Sequence, residues 1–441
     1  MKITKDDIKM LFKINIKNSK KSIDIKKSLW KIFYDNKVKV NKKATESLNI
    51  LILNAPCNGF GDLIFAMKLS NYIKHFYNSN VYTATTYKDG LLNLGENPAN
   101  VIELKNNENK KTQCLKFNKL IMSRNDIKFD LIFVAPLQMD FSPDLKDIKS
   151  LIPYANILNT FFFSEYNDSL SKNFTFNTGI GKDRDGLFLT NTTGLCKPPK
   201  GLKNPYSVIY IAQTITDADL CILSFIELVI RKYNKRYDNF DIVLPKWFIQ
   251  EVLDQIINDK FSKFYPNIRI KKNDGSYIHI SKNKLSKKIL TFRCDIFPLE
   301  NKLMMKLIKN SVKEILVTGD QSVTDVLSCC PDKNIFYQIA GWKRDFATNL
   351  SKLLPNVYIK SVKTSCGTLK ALRYNSNYNK FIKNWDFRKN ARDKLNSVVL
   401  SVLFLRDNNT FFINEIHDIY KKQLITIKKK NRKRSKKKHK K

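Results

Sequence analysis

Along the chain, short apolar runs alternate with longer stretches in which apolar residues recur at helical spacing, and the alternation occurs twice. In the first half the runs are LNILILN (48–54), VYTATT (81–86), VIEL (101–104) and DLIFVAP (130–136). Between the first two, Ile64, Phe65, Leu69, Tyr72, Ile73 and Phe76 fall on one helical face. Strand, helix and strand in that order make a β-α-β unit, which implies parallel strands. After a segment with few periodic runs (164–205) the pattern restarts with SVIYIAQ (207–213), DIVLP (241–245), IRI (268–270), YIHI (277–280), ILTF (289–292), EILVTG (314–319) and NIFYQI (334–339). Helical stretches fall at 219–232, 247–260, 300–312, 321–330 and 343–353. The pattern predicts an α/β protein of two doubly wound, Rossmann-like domains facing a cleft. The first spans 46–200 and the second 206–375, with a Pro/Gly/Lys linker near 197–205, a helical extension at 1–45 and C-terminal helices at 376–427.

Length agrees with this division, since 441 residues exceed what one core usually organises. A hydrophobic content of 43% is a globular value, so a sizeable core can be buried. The formal net charge of +39 has two readings. Lys, Asn and Ile are abundant together, as in an AT-rich genome, which makes Lys a surface filler; alternatively the charge serves an anionic partner such as nucleotide, nucleic acid or acidic membrane. The last 14 residues, KKKNRKRSKKKHKK (428–441), hold 11 Lys or Arg and are expected to be a solvated tail. That tail is either an unselected basic end or an arm for nuclear import or nucleic-acid binding. The eight cysteines form no CxxC pair and read as free thiols of a reducing compartment. No secretory signal and no run of membrane-spanning length is evident. The expectation is a soluble, cytoplasmic protein, with nuclear or virion association left open.

The stretch NAPCNGFGDLIF (54–65) follows the first predicted strand directly. In an open parallel sheet, ligands bind where a strand's carboxyl end feeds a helix N-terminus. Asn58, Gly59 and Gly61 form such a turn, and glycine there lets backbone amides approach a ligand. A dinucleotide fingerprint would need a third glycine where Ile64 stands, and an acid at the end of the second strand, which reads TATTY. No G-K-[ST] follows for a P-loop. What remains is a glycine turn carrying Asp62, either a first-turn acid favoured by the helix dipole or a base facing the cleft.

A second constellation lies in KEILVTGDQSVTDVLSCCPDKNIFYQIAGWKRDF (313–346), read as strand, glycine turn, short helix, strand and a loop with Lys343. Gly319, Gln321 and Ser322 offer donors at a helix N-terminus, suited to a diphosphate, and Asp325 one turn on could accept from ribose hydroxyls. Asp320 makes anion binding less tidy and could face a sugar hydroxyl. In this order the stretch resembles the donor domain of GT-B glycosyltransferases, and GFGDLIFAMKLSNYIK resembles the acidic turn of heptosyltransferases. The sequence departs from the pattern at Asp320-Gln321 and at an insertion, Pro331-Asp332-Lys333.

The resemblance implies metal-independent transfer of a sugar from a nucleotide-sugar co-substrate to a glycan, lipid or protein acceptor, with no further cofactor. It places Asp62 as catalytic base and Asp325 as ribose ligand. A GT-B enzyme neutralises the leaving diphosphate with cations and helix N-termini, for which Lys246, Arg293 and Lys343 stand just past strand ends. It also implies that the helical stretch 376–404 crosses back onto the first domain. Asp217 and Asp219 form a D-x-D, better explained by capping and first-turn charge than by a metal. His75, His279 and His417 are scattered and make no catalytic arrangement. The competing expectation is a non-catalytic protein of the same fold, holding nucleic acid or an acidic assembly through its basic surface and tail.

Overall fold

The computed structural model describes residues 33–407 apart from positions 36, 38 and 41 and the stretches 57–59, 107–116, 125, 138–143, 157–158, 169–174, 191–200, 212–217, 331, 354–358, 365–367 and 373–381; of 249–259 it describes Leu253 and Ile257. The turn residues Asn58 and Gly59, the acid Asp217, most of the predicted helix 247–260 and the basic tail lie outside the described residues.

The first sheet has six strands: β1 (Asn49–Asn54), β2 (Asn80–Thr85), β3 (Val101–Asn106), β4 (Leu120–Met122), β5 (Leu131–Leu137) and β6 (Thr160–Ser164), in the order β4-β3-β2-β1-β5-β6. All pairings are parallel except that of the short edge strand β4. The chain runs outward from β1 to β3 and returns to build β5 and β6 on the other side, so the order reverses between β1 and β5. Ile50 and Ile52 pack on one face and Leu51 and Leu53 on the other, which is why β1 reads as an unbroken apolar run. Helix α1 (Gly61–Phe76) joins β1 to β2, and the shorter α2 (Lys88–Asn93) and α3 (Leu145–Leu151) follow β2 and precede β6.

The second sheet has nine strands: β7 (Tyr206–Tyr210), β8 (Asn239–Val243), β9 (Asn267–Lys271), β10 (Tyr277–Ser281), β11 (Ile289–Arg293), β12 (Glu314–Thr318), β13 (Asn334–Gln338), β14 (Ile359–Lys363) and β15 (Thr368–Leu372). Their order is β10-β9-β11-β8-β7-β12-β13-β15-β14, parallel from β9 to β13 and antiparallel at both ends. Here the order reverses between β7 and β12. Helices α4 (Ala218–Tyr233), α5 (Asn301–Asn310), α6 (Asp320–Cys329) and α7 (Arg344–Leu353) connect these strands. The molecule is therefore mixed α/β with two mostly parallel sheets, each compatible with a doubly wound plan.

The two halves are packed together. One hydrophobic cluster takes Ile50, Ile52 and Phe65 from the first half, Val208, Val317 and Val326 from the second, and Phe387, Leu395 and Val398 from α8 (Phe387–Asn390) and α9 (Arg392–Asp407). The C-terminal helix α9 lies against α1: the Tyr77 hydroxyl donates to Asn396 Oδ1 at 2.6 Å, and the Arg392 guanidinium sits 5.0 Å from the Phe76 ring centroid. Helix α1 is buried on several sides, with Leu63, Ile64 and Met67 against Leu91 and Val101 while Phe65, Leu69 and Tyr72 enter the shared core.

Candidate functional site at the junction of the two sheets

At the carboxyl end of β1, the buried Asn54 organises the turn into α1. Its amide donates to the carbonyl oxygens of Asp62 at 3.1 Å and Ala135 at 3.0 Å, while Thr85 Oγ1 donates to its Oδ1 at 3.2 Å. One side chain thus ties β1, β2, β5 and the first turn of α1 together. At the carboxyl end of β12, Gly319 takes φ +79°, a conformation that favours glycine, and α6 begins at the next residue. Both turns stand where the strand order reverses in their sheets, the place where open α/β sheets bind ligands.

Helices α1 and α6 pack against each other, and their polar residues meet. Lys68 of α1 forms a buried ion pair with Asp325 of α6 and also donates to Gln321 Oε1 and the Phe188 carbonyl oxygen, each at 3.2 Å. The Thr190 hydroxyl donates to the same Asp325 oxygen. Asp325, the ribose ligand that the resemblance implies, is 1% exposed and has its carboxylate held by these two partners. Removing one member of such a pair leaves a buried charge uncompensated, at a cost of about 3–5 kcal/mol.

A second buried group lies beside it. Lys343, just past β13, pairs with Glu165 at the end of β6 and with Asp320 Oδ2 at 3.0 Å. Asp320 Oδ1 in turn accepts from the Gln321 backbone N–H at 2.7 Å. Burial raises the Glu165 carboxyl; the Lys343 ammonium opposes this, but the charges of Asp320, Asp62 and Asp168 reinforce it, leaving the group at about 8. Burial pulls Lys343 down, yet Asp320 and Glu165 outweigh it and hold the ammonium above the usual lysine range. Asp62 is buried in the first turn of α1, close enough to act on Glu165 electrostatically. Gly61, Gly319 and Gly341 border this group in the chain, and a Cβ added at any of them would meet nothing within 4 Å. Backbone at these turns is therefore open to an incoming molecule, while the charged side chains behind it are enclosed.

Of the residues singled out from sequence, Asp62, Gly61, Gly319, Asp320, Gln321, Ser322 and Asp325 belong to these two turns. Ser322 is part-exposed. Arg293 and Lys246 do not join them. The Arg293 guanidinium donates to Asp295 at 2.7 and 2.9 Å, to the Gly201 carbonyl at 3.0 Å and to Asp241 at 3.4 Å, a closed network on the β8–β11 part of the sheet. Lys246 is exposed beyond β8. Asp219 is an acid of the first turn of α4, and among the described residues no cluster of His, Cys, Asp and Glu could hold a metal ion. Lys68, Glu165 and Thr190 went unremarked in the sequence because each becomes significant only through a partner more than a hundred positions away.

No protein-family model matches the chain, and no curated protein does. Among the described residues no helix is long and apolar enough to cross a membrane.

Proposed function

We propose that the protein is a glycosyltransferase of GT-B type, with its site at the junction of the two sheets and a nucleotide sugar as donor. The observation that carries this reading is the convergence of the β1–α1 and β12–α6 turns, one from each sheet's point of reversal, upon a shared buried group of Asp62, Glu165, Asp320 and Lys343. The backbone N–H groups of Gly319, Asp320 and Ser322 and the Ser322 hydroxyl are the donors for a diphosphate, aided by the N-terminal end of the α6 dipole. The acid-rich group behind them suits the hydroxyl-rich sugar rather than the phosphates. Asp62 or Glu165 takes the proton of the acceptor hydroxyl, and Glu165, raised to about 8, is the better matched base near neutral pH. Asp325 in this reading ties the two halves together through Lys68 and is not free to bind a ribose.

The test is thermal unfolding of the full chain against a panel of nucleoside diphosphates and nucleotide sugars. A ligand at about 100 times its Kd stabilises by about 2.7 kcal/mol. One nucleotide class is expected to raise the midpoint, Ser322→Ala to weaken that rise, and Asp62→Asn or Glu165→Gln to retain it while losing sugar transfer. A panel without effect on the wild type overturns the proposal and favours a non-catalytic binding protein of the same fold.

A further inference from the structure

Strands β8, β7, β12 and β13 bury both faces: Val243, Val208, Val317 and Tyr337 enter the shared core on one side, and Ile242, Ile209, Leu316 and Phe336 enter a second cluster on the other. Beyond β8 the sheet changes character. Strands β11, β9 and β10 contribute Leu290, Phe292, Ile268 and Ile270 to the second cluster, with Ile278 and Ile280 packed against it, and nothing to the shared core. Apart from Ile289, their alternate residues, facing the other way, are polar or aromatic. Register places them in two rows across the strands, His279–Arg269–Thr291–Asp241 and Tyr277–Lys271–Arg293.

The segment 201–204 covers the β8–β11 end of this face, since Gly201 accepts from Arg293 and Asn204 donates to Asp241. The β9–β10 end is open, with Tyr277 43% exposed. The Arg269 guanidinium lies over the Tyr277 ring at 4.4 Å from its centroid and is steadied by a 3.1 Å bond from Nε to Thr291 Oγ1. Exposed lysines flank this pair: Lys272 follows β9 at the Tyr277 end, and Lys282, Lys284 and Lys287 stand in the β10–β11 loop at the other end of the hairpin, while Lys271 lies 3.5 Å from Asp295 and the Asp274 carboxylate is engaged by Ser276.

We infer that this open face binds single-stranded nucleic acid, with Tyr277 and Arg269 as the stacking platform and the surrounding lysines as phosphate contacts. The face has the two things that such binding needs, an exposed aromatic backed by a half-buried guanidinium on which an unpaired base can stack and cationic side chains to follow the backbone. Lysines scattered as surface filler account for a positive charge, but not for an exposed tyrosine and an arginine stacked at its centre. A duplex would meet the same cations and could not use the ring, because its bases are already stacked.

Fluorescence anisotropy with a labelled oligothymidylate, and with a duplex of equal phosphate number, tests this on the full chain, so that the basic tail is present in every comparison. Tyr277→Ala is expected to weaken single-strand binding roughly 5- to 100-fold and leave duplex binding unchanged. The triple replacement Lys282→Ala, Lys284→Ala and Lys287→Ala should weaken both and flatten the salt dependence of single-strand affinity by about 2 in log–log slope. All of these side chains are on the surface, and an unchanged unfolding midpoint confirms an intact fold. If Tyr277→Ala binds the single strand as tightly as wild type, or loses both ligands equally, the inference is overturned and the face is a cationic surface without a stacking site.

Discussion

Glu165 is the residue where environment departs furthest from composition. A carboxyl raised from 4.5 to about 8 keeps in the folded state a proton that the unfolded chain has released. Its contribution to stability is therefore full below about pH 4.5, falls as pH rises through the window to about 8, and is lost above it. Within that window the slope reaches at most about 1.4 kcal/mol per pH unit. Glu165→Gln is expected to flatten it, as measured by urea unfolding at several pH values; an unchanged slope would show that Lys343 keeps the carboxylate ionised. Nothing in the local sequence, FFFSEYND, distinguishes this glutamate from a surface acid. Apart from Asp168 three residues on, the neighbours that shift it come from α1, α6 and the loop after β13.

Among the elements, those with strong local signals were legible. Strands β1, β2, β5, β7, β8, β11, β12 and β13 coincide within a few residues with apolar runs, because most are covered on both faces and so are largely apolar, while β11 puts Leu290 and Phe292 into the second cluster alone. The helical spacing after Gly61 likewise marks α1. Strand β4 was missed because three residues carry no period, and β14 (IKSVK) and β15 (TLKAL) because lysines interrupt their apolar residues. Strand β11 was found, but its place between β8 and β9 could not be read from chain order. Glycines divide in the same way. Gly319→Ala meets no atom within 4 Å and carries only the strain of φ +79° with ψ 145°, a region left almost wholly to glycine, about 1–3 kcal/mol. Gly186 has φ +96° and a Cβ there would lie 2.5 Å from the Trp385 carbonyl oxygen. Since Leu187 pairs with Trp385 and Phe387 at 2.6 and 2.8 Å, Gly186→Ala should cost at least about 3 kcal/mol. Chemical denaturation of both variants checks the order.

For the whole molecule, the shared core sets the cooperativity. Phe65 of α1, Val326 of α6 and Phe387 of α8 belong to one cluster, and the Lys68–Asp325 pair crosses the same boundary. Neither half can open without exposing apolar surface of the other and stranding a buried charge. Calorimetry is expected to show a single transition with van't Hoff and calorimetric enthalpies in agreement. Two separate transitions would mean that the halves fold independently and that the junction contributes little.

The amino-acid sequence by itself determined the α/β class, the number of sheets and the two glycine turns at strand ends, because periodicity, apolar runs and glycine act over a few residues. The tertiary structure alone decided what those turns do to one another. It closed Asp325 onto Lys68, withdrew Arg293 into a network with Asp241 and Asp295, brought Glu165 and Lys343 to the junction, and left the Tyr277 face open. Those outcomes depend on burial and on charge partners far apart in the chain, and a local pattern carries neither.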